Sequence, residues 1–238
     1  MKVGIMQPYF FPYIGYFQLI AAVDVFVLYD NVEYTKKGWI NRNRMLRDGK
    51  DAMFSLPLKK ASDFLSISQR ELSTEFRRRK LLNQFAEAYK KAPYFANVYP
   101  LLEQAVAFED ANLFRYVRHS LIVLCSYLGI DTEIKTASDI NIDHKLKSQD
   151  KVLAMCGALK AHTYVNAIGG LELYGSEDFQ AKNLALKFIR AKLCSYLQLG
   201  FPYVPGLSII DVLMFNSADN VKEMLTDFEW IEGRKSNV

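Results

Sequence analysis

The chain is poor in cysteine and has no cysteine pairing pattern. Its three thiols, Cys125, Cys156 and Cys194, are scattered over 238 residues with no C-x-x-C pair. That argues against a disulfide framework or a zinc knot and predicts free, buried thiols in a reducing compartment. Histidine is scarce too. His119, His144 and His162 stand alone, with no H-E-x-x-H and no Cys/His metal spacing. A G-x-S-x-G elbow is also missing. Neither metal-assisted hydrolysis nor a serine nucleophile is signalled, and no metal is expected. Long apolar runs are absent: no segment approaches the ~18 residues of a membrane span. The amino terminus has one lysine, then Pro8 and Pro12, where a signal peptide would have an uninterrupted apolar helix and a cleavage site. A soluble, cytoplasmic protein without membrane insertion is expected. The excess of positive charge is small, +4. It favours a small anionic partner such as a sugar nucleotide over nucleic acid, which calls for a concentrated basic stripe. A tRNA-like partner stays open. The densest basic run, Arg77 to Lys80, reads as the solvated face of a helix. There are no repeats and no low-complexity segments.

Aromatic residues are plentiful, with 14 Tyr and 16 Phe. They crowd the first forty-odd residues. The apolar run Val3 to Met6 ends in Gln7-Pro8, followed by Tyr9, Phe10, Phe11, Pro12, Tyr13, Gly15 and Tyr16. A second run, Val25 to Tyr29, ends at Asp30. A polar stretch with Lys36, Lys37, Trp39, Asn41 and Arg42 comes next. Core packing alone does not demand this mixture, whereas ligand sites combine apolar walls with a few orienting polar groups. About half of the aromatics are expected to be core.

The pattern along the chain predicts strands at Val3 to Met6 and Val25 to Leu28, joined by a helix from Pro12 to about Ala22. Such a βαβ unit implies parallel pairing. Asp51 to Leu58 reads as a third strand. Thr74 opens a helix that Pro93 stops, and Leu101 to Phe108 and Leu113 to Leu128 are further helices, the last closed by Gly129. Thr132 to Thr136, Thr163 to Ile168 and Ala185 to Leu193 read as strands. Ser148 is placed as the cap of a helix over Asp150 to Ala161, and Ser208 and Asp219 as caps of two more. The tail from Gly233 is expected to fray. The fold class is therefore α/β: one domain over residues 1–238, with a doubly wound, mostly parallel sheet and a helical insertion at roughly 74–128. Ligands of such sheets bind beyond the carboxyl ends of the strands, at the switch point. Gln7-Pro8, Asp30 and Gly169-Gly170 each follow a predicted strand, so they should meet in one crevice.

Three strings carry a family resemblance: MQPYFFPYIGYFQLI with the following D-x-F-x-x-x-D and W-x-N-R, then TYVNAIGGLELY, then FPYVPGLSIIDVLMFN. Together they resemble the WbqC-like protein family over most of the chain. That resemblance implies a role in bacterial gene clusters for O-antigen and other surface polysaccharides. It moves Trp39, Asn41 and Arg42 toward function, and Ser208 and Asp211 match a family motif. The first strand-to-helix turn also resembles the HUP-type nucleotide-binding folds of nucleotidylyltransferases and class I aminoacyl-tRNA synthetases. Tyr13-Ile14-Gly15-Tyr16 stands there in place of H-x-G-H. Lys145, Lys147 and Ser148 faintly resemble a K-x-x-K-S loop, or simply start a basic helix.

Two readings follow. The first is a transferase of lipopolysaccharide synthesis, passing an acyl or aminoacyl group to an amino sugar or sugar nucleotide. Asp30 and Tyr16 would act catalytically, with Asp30 as general base. Gln7, Pro8, Tyr9, Tyr13, Gly15, Lys36, Trp39, Asn41, Arg42, Gly169, Gly170, Tyr174 and Ser208 would bind substrate. Trp39 offers a stacking face and Arg42 a fork for phosphate. Exposed amides at the helix start and at Gly169-Gly170 would hold an anion. A nucleotide or activated acyl donor would be the co-reactant. The second reading is a non-catalytic nucleotide-sugar or nucleotide binder.

Overall fold

The computed structural model describes residues 1–200 and 202–233. Six strands form one sheet: β1 (Lys2–Met6), β2 (Val25–Leu28), β5 (Glu133–Thr136), β6 (Thr163–Ala167), β7 (Ala185–Ala191) and β8 (Phe228–Glu232). Their spatial order is β5-β2-β1-β6-β7-β8. The first five pair in parallel, and β8 pairs antiparallel to β7. Counted within the sheet alone, this is the doubly wound order 3-2-1-4-5-6, with the switch point between β1 and β6. The expected βαβ start is present, with α1 (Ile14–Ala21) joining β1 to β2.

The strands alternate as a pleated sheet covered on both faces must. Val3, Ile5, Val25, Val27, Tyr164, Leu186 and Phe188 point to one face. There α5 (Ser148–Ala158) and α6 (Ser176–Gln180) cover them with Val152, Met155, Cys156 and Phe179. Phe26, Leu28, Val165 and Ile189 point to the other face, onto α1 and the larger core. Gly4 lets two strands sit close here: a Cβ at that position would stand 3.1 Å from the Phe26 ring.

Asp51 to Leu58 does contain a strand, but it lies outside the main sheet. β3 (Arg42–Arg47) and β4 (Lys50–Ser55) form a separate antiparallel hairpin. Its two-residue turn is Asp48-Gly49, with φ of 50° and 74°. Asp-Gly is a turn pair suited to that left-handed geometry. Between β4 and β5 lie α2 (Arg78–Tyr89), α3 (Phe95–Ala107) and α4 (Leu113–Leu128). One continuous buried cluster joins them to α1, the hairpin, α7 (Ile209–Phe215) and α8 (Ala218–Thr226).

Several boundaries depart from the expectations. Helix α3 starts at Phe95, not Leu101, and carries Pro100 inside it. The proline removes one N–H near the exposed start of the helix, a loss that solvent can absorb. Ser217, not Asp219, caps α8, accepting from the Asn220 amide. Ser148 makes no side-chain cap bond; it opens α5 at a φ of 47°. Cys125 and Cys156 are buried as expected, but Cys194 is exposed, its thiol donating to Asp227 at 3.4 Å. Beyond Gly233 the expected tail lies outside the described residues.

Candidate functional site at the carboxyl edge of the sheet

The segment after β1 is built by its aromatics. Phe10 and Phe11 are fully buried, and Phe11 meets the Phe85 ring edge-on at 5.9 Å. Phe11 adopts a φ of 44°, a strained setting for a bulky residue. Its carbonyl accepts the Ser208 hydroxyl at 2.7 Å, which holds the turn before Pro12. Ser208 is itself fully buried and also accepts from the Ile210 amide as the cap of α7. Tyr16 is buried and donates its hydroxyl to the Gln7 carbonyl at 2.8 Å. Burial pushes its pKa far above the ordinary phenol, so Tyr16 stays neutral and fixes the Gln7-Pro8 bend. Pro8 is buried in that bend.

The start of α1 is covered. Tyr13 lays its ring over Gly15, where any Cβ would overlap it. Ile14 and Gly15 are buried, and Tyr13 bridges to Ser208. The expected anion cradle at this helix terminus is thus filled by the protein's own ring. Gly15 makes room for Tyr13, not for a ligand.

Beside this segment opens a cleft of about 240 Å³ lined by Tyr9, Pro12, Tyr13, Trp39, Asn43, Arg44, Leu193 and Gly206. Trp39 keeps 38% of its surface exposed. The Arg44 guanidinium lies 5.7 Å from its ring centre. Arg44 also donates to the Gly206 carbonyl at 3.0 Å and pairs with Asp51 at 3.3 Å. Burial raises the pKa of both Tyr9 and Tyr13, so both offer neutral hydroxyls. Arg42, two residues before Arg44 on the same strand, spends its Nε on the Gly38 carbonyl at 3.0 Å. Its terminal nitrogens make no hydrogen bond among the described residues. Asn41 is committed: it accepts from Tyr34 and donates to the Leu56 carbonyl. Lys36 sits in an exposed ion pair with Asp63, and Lys37 is exposed.

A second cluster sits at the ends of β2, β5 and β6. Asp30 is 2% exposed and accepts from the Ser138 amide at 2.9 Å. Next to it Lys151 of α5 is also buried. Its ammonium donates to Asn31 Oδ1 at 3.1 Å and lies 5.2 Å from the centre of the Tyr29 ring. Burial lowers the Lys151 pKa, and the charge of Asp30 opposes that shift. Tyr29 is pushed up to about 12 by burial and by Tyr174. Tyr174 in turn faces the Tyr164 hydroxyl at 3.5 Å. Residues Ile168–Gly170 form a short 3-10 turn after β6. Gly169 is open, whereas a Cβ at Gly170 would overlap the Asn166 amide. Lys145 and Lys147 are exposed.

The expected residues therefore divide between two neighbouring places. Tyr9, Tyr13 and Trp39 share the cleft. Asp30 and Tyr174 belong to the second cluster, while Gln7 lies between, since the Tyr29 amide bonds the carbonyl of Met6 just before it. Arg44 and Lys151 were missed. The Asp48-Gly49 turn would have put Arg42 and Arg44 on one face of a hairpin. Lys151 stands four residues before the buried Met155, on the apolar face of its helix. Among the described residues no group of His, Cys, Asp or Glu is arranged to hold a metal. No described helix is long and apolar enough to cross a membrane.

Fold and edge geometry define a doubly wound α/β protein with an aromatic cleft beside a buried polar cluster. Residues 7–223 match the model of the WbqC-like protein family, and the chain belongs to that family. It is similar to the uncharacterized protein Rv1507c of Mycobacterium tuberculosis, with 30% identity over 219 residues, 90% of this chain and 93% of the relative. No solved structure matches the chain.

Proposed function

We propose that this protein is a transferase of bacterial surface-polysaccharide synthesis, O-antigen and lipopolysaccharide included, working in the cytoplasm. It passes an acyl or aminoacyl group to an amino sugar or sugar nucleotide. The observation that carries the reading is the adjacency of a ring-binding cleft and a desolvated acid–base cluster along one strand-end edge. Trp39 supplies a stacking face, Arg44 beside it supplies positive charge for a diphosphate, and Arg42 two residues earlier on β3 adds to that charge. Asp30 is the general base. It takes a proton from the acceptor amine or hydroxyl as that atom attacks the donor carbonyl. The new bond to carbon forms, the bond to the donor's leaving group breaks, and the leaving group departs with its electron pair. Lys151, buried beside Asp30, places a positive charge next to that carboxyl group. Tyr16 acts by fixing Gln7.

Family membership supports the pathway, and the cleft's composition supports the sugar nucleotide. The alternative is a nucleotide-sugar binder without turnover, and one observation favours it: Asp30 is not among the residues lining the Trp39 cleft. Thermal-shift screening against sugar nucleotides, with and without activated acyl donors, tests both. A concentration-dependent rise in melting temperature is expected. Product formation separates the transferase from the binder.

A further inference from the structure

Between β7 and α7 the chain runs as a strap, residues 192–200 and 202–207. It supplies Leu193 and Gly206 to the wall of the Trp39 cleft. The strap is fastened from inside by Gln198, which is fully buried. Its amide nitrogen donates to both oxygens of Asp211, at 2.8 and 3.1 Å. Its amide oxygen accepts from the Val204 N–H at 2.7 Å. Asp211, in the first turn of α7, is fully buried as well. Tyr203 donates to the Cys194 carbonyl, and Tyr196 meets Tyr203 edge-on at 5.1 Å. At its far end the strap reaches Gly206, whose carbonyl accepts from the Arg44 that overlies Trp39.

A strap that only had to cover a core would be held by apolar side chains. A buried carboxyl group is costly unless hydrogen-bonded, and here the Gln198 amide is the partner that meets that need. Here the bonds define one position for the strap, and the strap defines the position of Leu193, Gly206 and the guanidinium.

We infer that Gln198 and Asp211 are positioning residues for the cleft: by latching the strap they set the opening over Trp39. This rests on reading the cleft as the ligand site, but its test needs neither ligand nor turnover. The groups that face Asp211 are Gln198, Tyr196 and Tyr203 on the strap and Tyr89 on α2. Burial raises Asp211 to about 7 and lifts all three tyrosines above the ordinary phenol value. Within this set, Asp211 alone changes charge across neutral pH.

The chain has two tryptophans. In a Trp230→Phe background, Trp39 fluorescence quenched by acrylamide reads the opening directly. Gln198→Ala should raise the quenching constant about twofold, the sign of a locally released segment. Gln198→Glu gives a reversible version. At about pH 5.5 two carboxyls can share a proton and the strap stays latched; at about pH 8.5 both ionise and repel, and quenching rises. The background protein, in which the neutral Gln198 amide faces Asp211 as that group titrates, sets the baseline, and Gln198→Glu should rise above it at the higher pH. Should Gln198→Ala lose its circular dichroism signal, the decision falls to the reversible Gln198→Glu titration. Quenching that is unchanged in a folded Gln198→Ala, or a Gln198→Glu protein that follows the background at both pH values, overturns the inference. An intact latch response with no sugar nucleotide bound would sink the proposed function and leave the latch standing.

Discussion

The Trp39 cleft and the Asp30 cluster lie along the same edge of the sheet, yet they are built in opposite ways. The cleft is an open aromatic surface whose cation, Arg44, keeps part of its side chain in solvent. The Asp30 cluster buries both an aspartate and a lysine. An open aromatic face can receive a ring without desolvating a charge, so it suits binding. Burying two ionisable groups side by side is expensive, and such groups are found at functional sites. The contrast teaches that the cleft and the cluster should separate in experiment, one governing affinity and the other turnover.

The largest expected effect breaks the pair at the cluster. Asp30→Asn keeps size but loses the proton-accepting role, and turnover should fall ~100-fold or more while sugar-nucleotide affinity stays near wild type. If Asp30 only holds the Ser138 loop, the melting temperature falls instead and the folded fraction keeps its activity.

Arg42 stands two residues before the cleft's Arg44 on β3. Arg42→Ala should weaken binding of an anionic sugar nucleotide by ~2 kcal/mol if its terminal nitrogens reach the phosphates, as loss of a charge-assisted bond does. Arg42→Lys should recover part of this, because lysine lacks the fork. Titration calorimetry that gives equal affinities would make Arg42 merely the brace of the Gly38 carbonyl.

Trp39→Ala should cost ~1–2 kcal/mol of the same affinity by removing a stacking face, with melting temperature nearly unchanged because the ring is part exposed. A large loss of stability would recast Trp39 as core.

The smallest effect concerns pH. Asp211 titrates at about 7 in the fold, above its ordinary value, so the folded state binds more protons through that range. Its contribution is full below the ordinary carboxylate pKa and is lost as pH rises through about 7. Between about pH 6 and 8 the linkage amounts to ~1 kcal/mol. Urea titrations should show that loss in wild type and its absence in Asp211→Asn. Equal pH slopes would place the buried carboxyl elsewhere on the scale.

Much of this fold was legible because its signals are local. Val3 to Met6 and Val25 to Leu28 are short apolar runs closed by Pro8 and Asp30, and they became adjacent parallel strands. Gly129 closes α4 in the left-handed conformation, as its position implied. The first strand of the hairpin was missed because Arg42 to Arg47 lacks an apolar alternation; the burial of Met45 and Leu46 comes from α2 and α7, far along the chain. Strand β8 was missed for a related reason: Phe228–Glu232 is a short, largely exposed edge strand paired with β7, with ion pairs such as Arg190–Glu229 across it. The candidate cleft was legible in its aromatic residues. Tyr9, Tyr13 and Trp39 stand close in sequence and meet in one cleft. Lys151 and the Gln198–Asp211 latch were not, because their partners come from distant segments and only the fold brings them together.

The most direct test is the sugar-nucleotide dissociation constant of wild type, Trp39→Ala and Asp30→Asn, taken by calorimetry with UDP-N-acetylglucosamine and related nucleoside diphosphate sugars. Saturable binding that Trp39→Ala weakens about tenfold and Asp30→Asn leaves unchanged is the expected result. No binding by any of these sugars, or binding that Asp30→Asn abolishes and Trp39→Ala does not touch, would contradict the division of the edge into a cleft that binds and a cluster that reacts.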